Sequence, residues 1–176
     1  MLIGKNPLNE APEWFVKNIA ERPEECSVNV NGANVKYFIW GDKSKKPLLL
    51  LHGYNAHSFW WDHIAPSLTE NHCVVGLDFS GMGESDRREV YSQEIFVDDV
   101  KGVIDDLSWK SCTCIAHSMG GSIATLATSI YPDIFEHLIL LDSMIVIPPN
   151  VAERMSSNRP SARSVSYTHL TLPTNC

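Results

Sequence analysis

Ser118 stands in the pentapeptide Ala116-His117-Ser118-Met119-Gly120, inside the stretch "CTCIAHSMGGSIATLA" at residues 112–127. A serine hydroxyl is a weak nucleophile. It needs a base to take its proton and donors aimed at the oxyanion that develops on the attacked carbonyl. The small-x-Ser-x-Gly spacing supplies part of this, because small flanks let a strand bend sharply into a helix and leave the serine at the apex. The N–H of Met119, at the start of that helix, then points toward the reacting centre. Taken alone, the pentapeptide fits a second reading equally well, a serine that only caps a helix.

The elements around it decide how such a serine would be held. "PLLLLHG", "CVVGLDF", "CTCIAHS" and "HLILLDS" are short and apolar nearly throughout, the pattern of strands buried on both faces. Helical patterns lie between them. Val100, Val103, Ile104 and Leu107 recur at helical spacing, with Ser92 as N-cap and Asp98, Asp99, Asp105 and Asp106 on the wet side. "GGSIATLATSIY" reads as a helix ended by Pro132, and "SFWWDHIAPSL" as another, broken or kinked near Pro66. Upstream, "APEWFVKNIA" puts Trp14, Phe15, Ile19 and Ala20 near one face of a short helix that Pro12 opens. Two β-branched and aromatic runs, Cys26 to Val30 and Val35 to Trp40, flank "NGAN" as an antiparallel hairpin.

Strands alternating with helices predict an α/β fold: a mostly parallel sheet with an antiparallel N-terminal hairpin, helices on both faces, and a ligand site at the carboxyl ends of the strands. His52-Gly53, Asp78, Ser118 and Asp142 all fall at such ends.

Bulk properties narrow the function. A chain of 176 residues is long enough for one domain with a sizeable core. The net charge is −7, and the basic residues are scattered, so no basic stripe offers a path for a nucleic-acid backbone. The longest apolar run, "PLLLL", is far short of a bilayer span, and the N-terminus has no apolar core after a basic start. These features predict a cytoplasmic protein that binds neither nucleic acid nor membrane. Of the five cysteines, Cys112 and Cys114 read as buried reduced thiols on a strand, since no second pair stands at zinc spacing. Nothing in the sequence sets an oligomeric state.

The order "PEWF", hairpin, "LLLLHG", "FWWDHIAPSL", "LDFSGMGESD", "AHSMGG", "LILLDS", over residues 12–150, resembles the α/β-hydrolase family. The resemblance implies Ser118 as nucleophile on the elbow and an oxyanion hole from the N–H groups of Met119 and Tyr54. His52, Gly53, His117 and Gly120 would support the site, with His52 a scaffold residue rather than the base. Asp78, Gly81, Gly83 and Ser85 match a loop that is chiefly structural in the family. Ala116 departs from the usual Gly and is small enough to serve. Epoxide hydrolases and dehalogenases of this fold carry Asp at the elbow, so Ser118 implies acyl transfer on a small-molecule acyl substrate, an ester first of all. Amide or carbon–carbon bond hydrolysis and cofactor-free perhydrolysis are the alternatives, as is a non-catalytic ligand-binding member. No metal or organic cofactor is implied.

In the family the triad runs Ser, then acid, then His. The resemblance places the His, and as a rule the acid, beyond residue 163, with Asp142 the local candidate for the acid. His57, His63, His72 and His137 are expected in structural or solvated roles. The fragment is therefore expected to be inactive. Residues 1–143 read as an incomplete hydrolase core and 144–163 as the start of a cap or insertion. Residues 164–176 break with the composition before them, and "VSYTHLTLPT" resembles an in-frame translated sequencing adapter.

Overall fold

The structure is a computed structural model and describes residues 11–143; the expected cap and adapter segments lie outside the described residues. Helix α1 (Glu13–Ala20) leads into strands β1 (Glu24–Val30) and β2 (Ala33–Trp40). Their two-residue turn puts Asn31 at φ 50° and Gly32 at φ 86°, the positive pair whose twist matches a hairpin. Strands β3 (Lys46–Leu51), β4 (His72–Leu77), β5 (Cys112–His117) and β6 (Phe135–Leu141) follow, with helices α2 (Ala65–Leu68), α3 (Gln93–Asp106) and α4 (Met119–Ile130).

The sheet order is β1-β2-β4-β3-β5-β6. Strands β1, β2 and β4 pair antiparallel, while β4, β3, β5 and β6 run parallel. From β3 the chain steps out to β4 and then returns to lay β5 on β3's other side. That reversal opens a crevice at the carboxyl ends of β3 and β5, where ligands of open α/β sheets bind.

Side chains alternate across the sheet and divide the core in two. Leu49, Leu51, Val75 and Leu77 meet Val100, Val103, Ile104, Ile123 and Ala127 of α3 and α4. Leu48, Leu50, Val74, Phe38 and Trp40 meet Trp61 and Ala65 on the opposite face. Ser92 caps α3 by accepting the Ile95 N–H at 3.3 Å. Gly102 lets α3 sit close to the hairpin, since a Cβ there would come within 2.4 Å of Val30.

Four local expectations are corrected. The stretch 58–68 is a short 3-10 turn (Ser58–Trp61) followed by α2, not one helix; Pro66 has no N–H and falls in the first turn of α2. Trp14 is 53% exposed, and α1 is anchored instead by buried Asn18, which donates to His63 O at 2.8 Å and Ser67 Oγ at 2.6 Å. Asp99 is fully buried rather than wet. It accepts from Ser80 and from Arg88 Nη2 at 2.9 Å, tying α3 to the segment after β4. Arg88 Nη2 also donates to Val30 O at 2.8 Å, so the pair's remaining hydrogen-bonding capacity is used, as burying charge requires. Finally, β6 is only half-buried, because it is the last strand of the sheet among the described residues.

Candidate active site

Parallel pairing sets Leu51 opposite Ala116, so the residues that leave β3 and β5 emerge side by side. From β5 the chain turns through Ser118, at φ 51° and ψ −117°, directly into α4. That conformation is costly for any residue but glycine, and such strain clusters where function holds it. The turn is fixed from both sides. Ser118 N–H donates to Leu141 O of β6 at 3.0 Å, and Ser118 O accepts from Gly121 N–H at 3.0 Å.

Glycines allow the close approach of the neighbouring strand. A Cβ on Gly120 would lie 2.7 Å from His52 O and 2.8 Å from Leu51 O. A Cβ on Gly53 would lie 3.0 Å from His117 Nδ1 and 3.2 Å from Ser118 Cβ. The loop after β3 is thereby pressed against the elbow. Tyr54 follows Gly53 in a turn closed by Ala56 N–H to Gly53 O at 3.2 Å, with its side chain 78% exposed. Met119, as the first residue of α4, has an N–H without an intrahelical acceptor, at the positive end of the helix dipole.

His52 is fully buried and committed at both nitrogens. Nε2 accepts the Phe79 N–H at 3.2 Å, so the ring proton is on Nδ1, which donates to Gly53 O at 2.8 Å. Burial holds its pKa below the usual histidine value, opposed by the bond to Gly53. A neutral ring with no free lone pair cannot serve as a base. His117 stacks on Trp60 at 5.7 Å and 13° between planes. His57 and His63 rest on Phe59 and Phe15, and exposed His137 lies along β6 opposite Thr113.

Asp142 follows Leu141 at φ 45°, one residue past the carbonyl that holds Ser118. Its side chain is exposed and makes no hydrogen bond among the described residues. Asp78 does something else: buried, it accepts from Ser58 N–H at 2.6 Å and Glu84 N–H at 2.8 Å, joining the loops after β3 and β4. Gly83 makes room for it, since a Cβ there would overlap Asp78 Oδ2.

A cleft of about 480 Å³ opens beside the elbow. Tyr54 and Met119 form one part of its wall, and Met82, Arg87, Tyr91 and Phe96 form others. These last four were not legible as site residues: the sequence signal was only that Met82 lies within "DFSGMGES" and that Arg87, Tyr91 and Phe96 follow it. A hollow of about 340 Å³ around Lys101 and Tyr131 lies at the opposite end of α4 from Ser118. Cys112 and Cys114 are buried thiols, the former pushed up to about 12 by burial. Among the described residues no cluster of metal-ligating side chains occurs, and no helix is long and apolar enough to cross a membrane.

Sequence comparison agrees with this architecture. The family described as the alpha/beta hydrolase fold matches residues 46–165, and the chain belongs to it. Among curated relatives it is 33% identical over 124 residues to the serine hydrolase-like protein of Danio rerio, covering 69% of this chain and 38% of that protein. It is 31% identical over 155 residues to epoxide hydrolase 4 of Homo sapiens, covering 80% and 42%. Among solved structures it resembles the 2-hydroxy-6-oxo-6-phenylhexa-2,4-dienoate hydrolase of Rhodococcus sp. strain RHA1, with a TM-score of 0.64 and 26% identity over 75% of this chain and 52% of that one. A bacterial membrane phospholipase A gives a TM-score of 0.69 at 28% identity, over 82% and 48%. The chain thus spans well under half the length of these curated relatives.

Proposed function

We propose that this chain carries the nucleophile and oxyanion loop of a serine hydrolase that cleaves a small ester through an acyl-enzyme. The observation that carries the reading is Ser118, held in a strained conformation at the N-terminus of α4 and pressed against Gly53 of the loop after β3. In the reaction Ser118 Oγ bonds to the acyl carbon while its proton passes to a base. The N–H groups of Met119 and Tyr54 donate to the oxyanion. The carbon–oxygen bond to the leaving group then breaks, and the leaving oxygen takes the proton. Water repeats the sequence on the acyl-enzyme and releases the acid.

Relatives of this fold include both serine hydrolase-like proteins and epoxide hydrolases. A hydroxyl at the elbow favours the first, since ring opening through an alkyl-enzyme ester needs a carboxylate there. The base and, as a rule, the triad acid are assigned to sequence corresponding to the remainder of the longer relatives, with Asp142 the local candidate for the acid. Residues 11–143 alone would then retain at most the ~10³–10⁴-fold over water that an oxyanion hole and binding give without a triad. The test is labelling by a fluorophosphonate. Full-length protein should be modified at Ser118, Ser118→Ala should not, and the 176-residue chain should react at least about a hundredfold more slowly. Labelling that survives Ser118→Ala would refute the assignment, and a labelled protein that cleaves amides or carbon–carbon bonds but no ester would move it to another hydrolase class.

A further inference from the structure

We infer that the cleft beside the elbow takes an acyl substrate bearing a carboxylate, bound by Arg87. This rests on the serine hydrolase reading and names the substrate class for the same site. The protein is acidic overall, with a net charge of −7, yet among the described residues no Asp or Glu lines this cleft.

Two guanidinium groups do, and they differ in what they are free to do. Arg88 is consumed within the fold: it pairs with buried Asp99 at 2.9 Å, donates from Nε to Ser80 Oγ at 2.8 Å and reaches the carbonyls of Val30 and Asn31. Arg87, its neighbour, is exposed and makes no ion pair or hydrogen bond among the described residues. The nearby carboxylates leave it so. Asp86 accepts from the backbone and side-chain nitrogens of Asn34 at 2.9 and 3.0 Å, Glu84 is exposed outside the cleft lining, and Glu89 lines an adjacent hollow that Arg87 also borders, without pairing to it.

Arg87 shares the cleft with Tyr54 and Met119, whose backbone N–H groups are the oxyanion donors of the proposed mechanism. Met82, Tyr91 and Phe96 provide apolar wall, and Tyr91 is stacked on Phe96 at 5.9 Å. An ester carbonyl at the elbow, a short apolar chain along this wall and a carboxylate on Arg87 would satisfy each part. A volume of about 480 Å³ suits a half-ester of a short dicarboxylic acid. A planar guanidinium with unused donors suits the carboxylate end, where it can donate two parallel hydrogen bonds.

The test compares two esters of equal chain length on the full-length protein, the mono-p-nitrophenyl ester of glutaric acid and neutral p-nitrophenyl pentanoate. The wild type should favour the glutarate ester in kcat/KM, and added salt should shrink that preference. Arg87→Gln should lower the ratio of the two kcat/KM values about tenfold, chiefly through KM, and Arg87→Lys should recover part of it. Arg87 is exposed, so folding of the variants is checked simply by an unchanged Tm. Direct titration of glutarate separates the inference from the reading beneath it. Glutarate binding that Arg87→Gln leaves unchanged overturns the anion site whatever the turnover. Glutarate binding that depends on Arg87, in a protein that cleaves neither ester, overturns the ester-hydrolase reading and leaves the anion site standing.

Discussion

Gly53 and Ser118 approach so closely that a single added methyl group on Gly53 would stand 3.2 Å from the serine Cβ and 3.0 Å from the His117 ring. The two residues are distant in sequence and meet because β3 and β5 are adjacent parallel strands. Substituting Gly53→Ala must push the loop off the elbow by a few tenths of an ångström, because His117 is backed by its stack on Trp60. The proposed ester hydrolysis should fall between about ten- and a hundredfold, through misplacement of the Tyr54 N–H that the proposal assigns to the oxyanion, with a much smaller change in Tm. An equal loss of stability and activity would show that the contact is structural only.

Strain at Ser118 has an opposite signature. With φ at 51° and ψ at −117°, the position favours glycine. Ser118→Gly should therefore raise stability by about 1 kcal/mol while abolishing labelling by a fluorophosphonate. Thermal unfolding measures the first and mass spectrometry the second. A Tm that falls would mean that the serine side chain stabilises the turn by more than its backbone costs.

Buried His52 makes stability depend on pH. Its folded pKa is lowered by burial, whereas the unfolded value is near 6.5. The unfolded chain therefore binds the proton more readily, and the contribution of His52 is complete above about pH 6.5 and lost as pH falls from there toward the folded pKa. Urea midpoints between pH 7.5 and 5.5 should decline, by at most about 1.4 kcal/mol per pH unit from this group. His52→Asn should flatten the decline. An identical slope in the variant would assign the effect to other groups.

The half-buried β6 leaves Ile139 46% and Leu141 37% exposed on the last strand of the described sheet. An apolar strand with an unpaired edge is a template for pairing with another copy. The 176-residue chain should self-associate at micromolar concentration, as read by light scattering. Ile139→Lys should suppress this while changing stability by no more than about 0.5 kcal/mol. Unchanged scattering in the variant would place the association elsewhere.

Much of this molecule was fixed by local pattern. Apolar runs ending at His52, Asp78, Ser118 and Asp142 marked four strands, because strands covered on both faces must be apolar throughout, although the last of them is only half-buried among the described residues. "NGAN" marked the hairpin, because Asn31 and Gly32 tolerate positive φ. The small residues around Ser118 marked a sharp turn for the same steric reason. What local pattern left open were features set by groups far apart in the chain. Asp99 lies beside acidic Asp98 and on helical spacing belonged to the wet face, yet Arg88 and Ser80 arrive from the segment after β4 and make its burial possible. His52 could have been a base from its residue type alone, and only the Phe79 N–H and Gly53 carbonyl deny it that role. Arg87 and Arg88 are identical in type and adjacent in sequence. The tertiary structure alone distinguishes them, because a guanidinium is defined by the partners the fold brings to it: Arg88 has Asp99, and exposed Arg87 has no ion pair or hydrogen bond among the described residues.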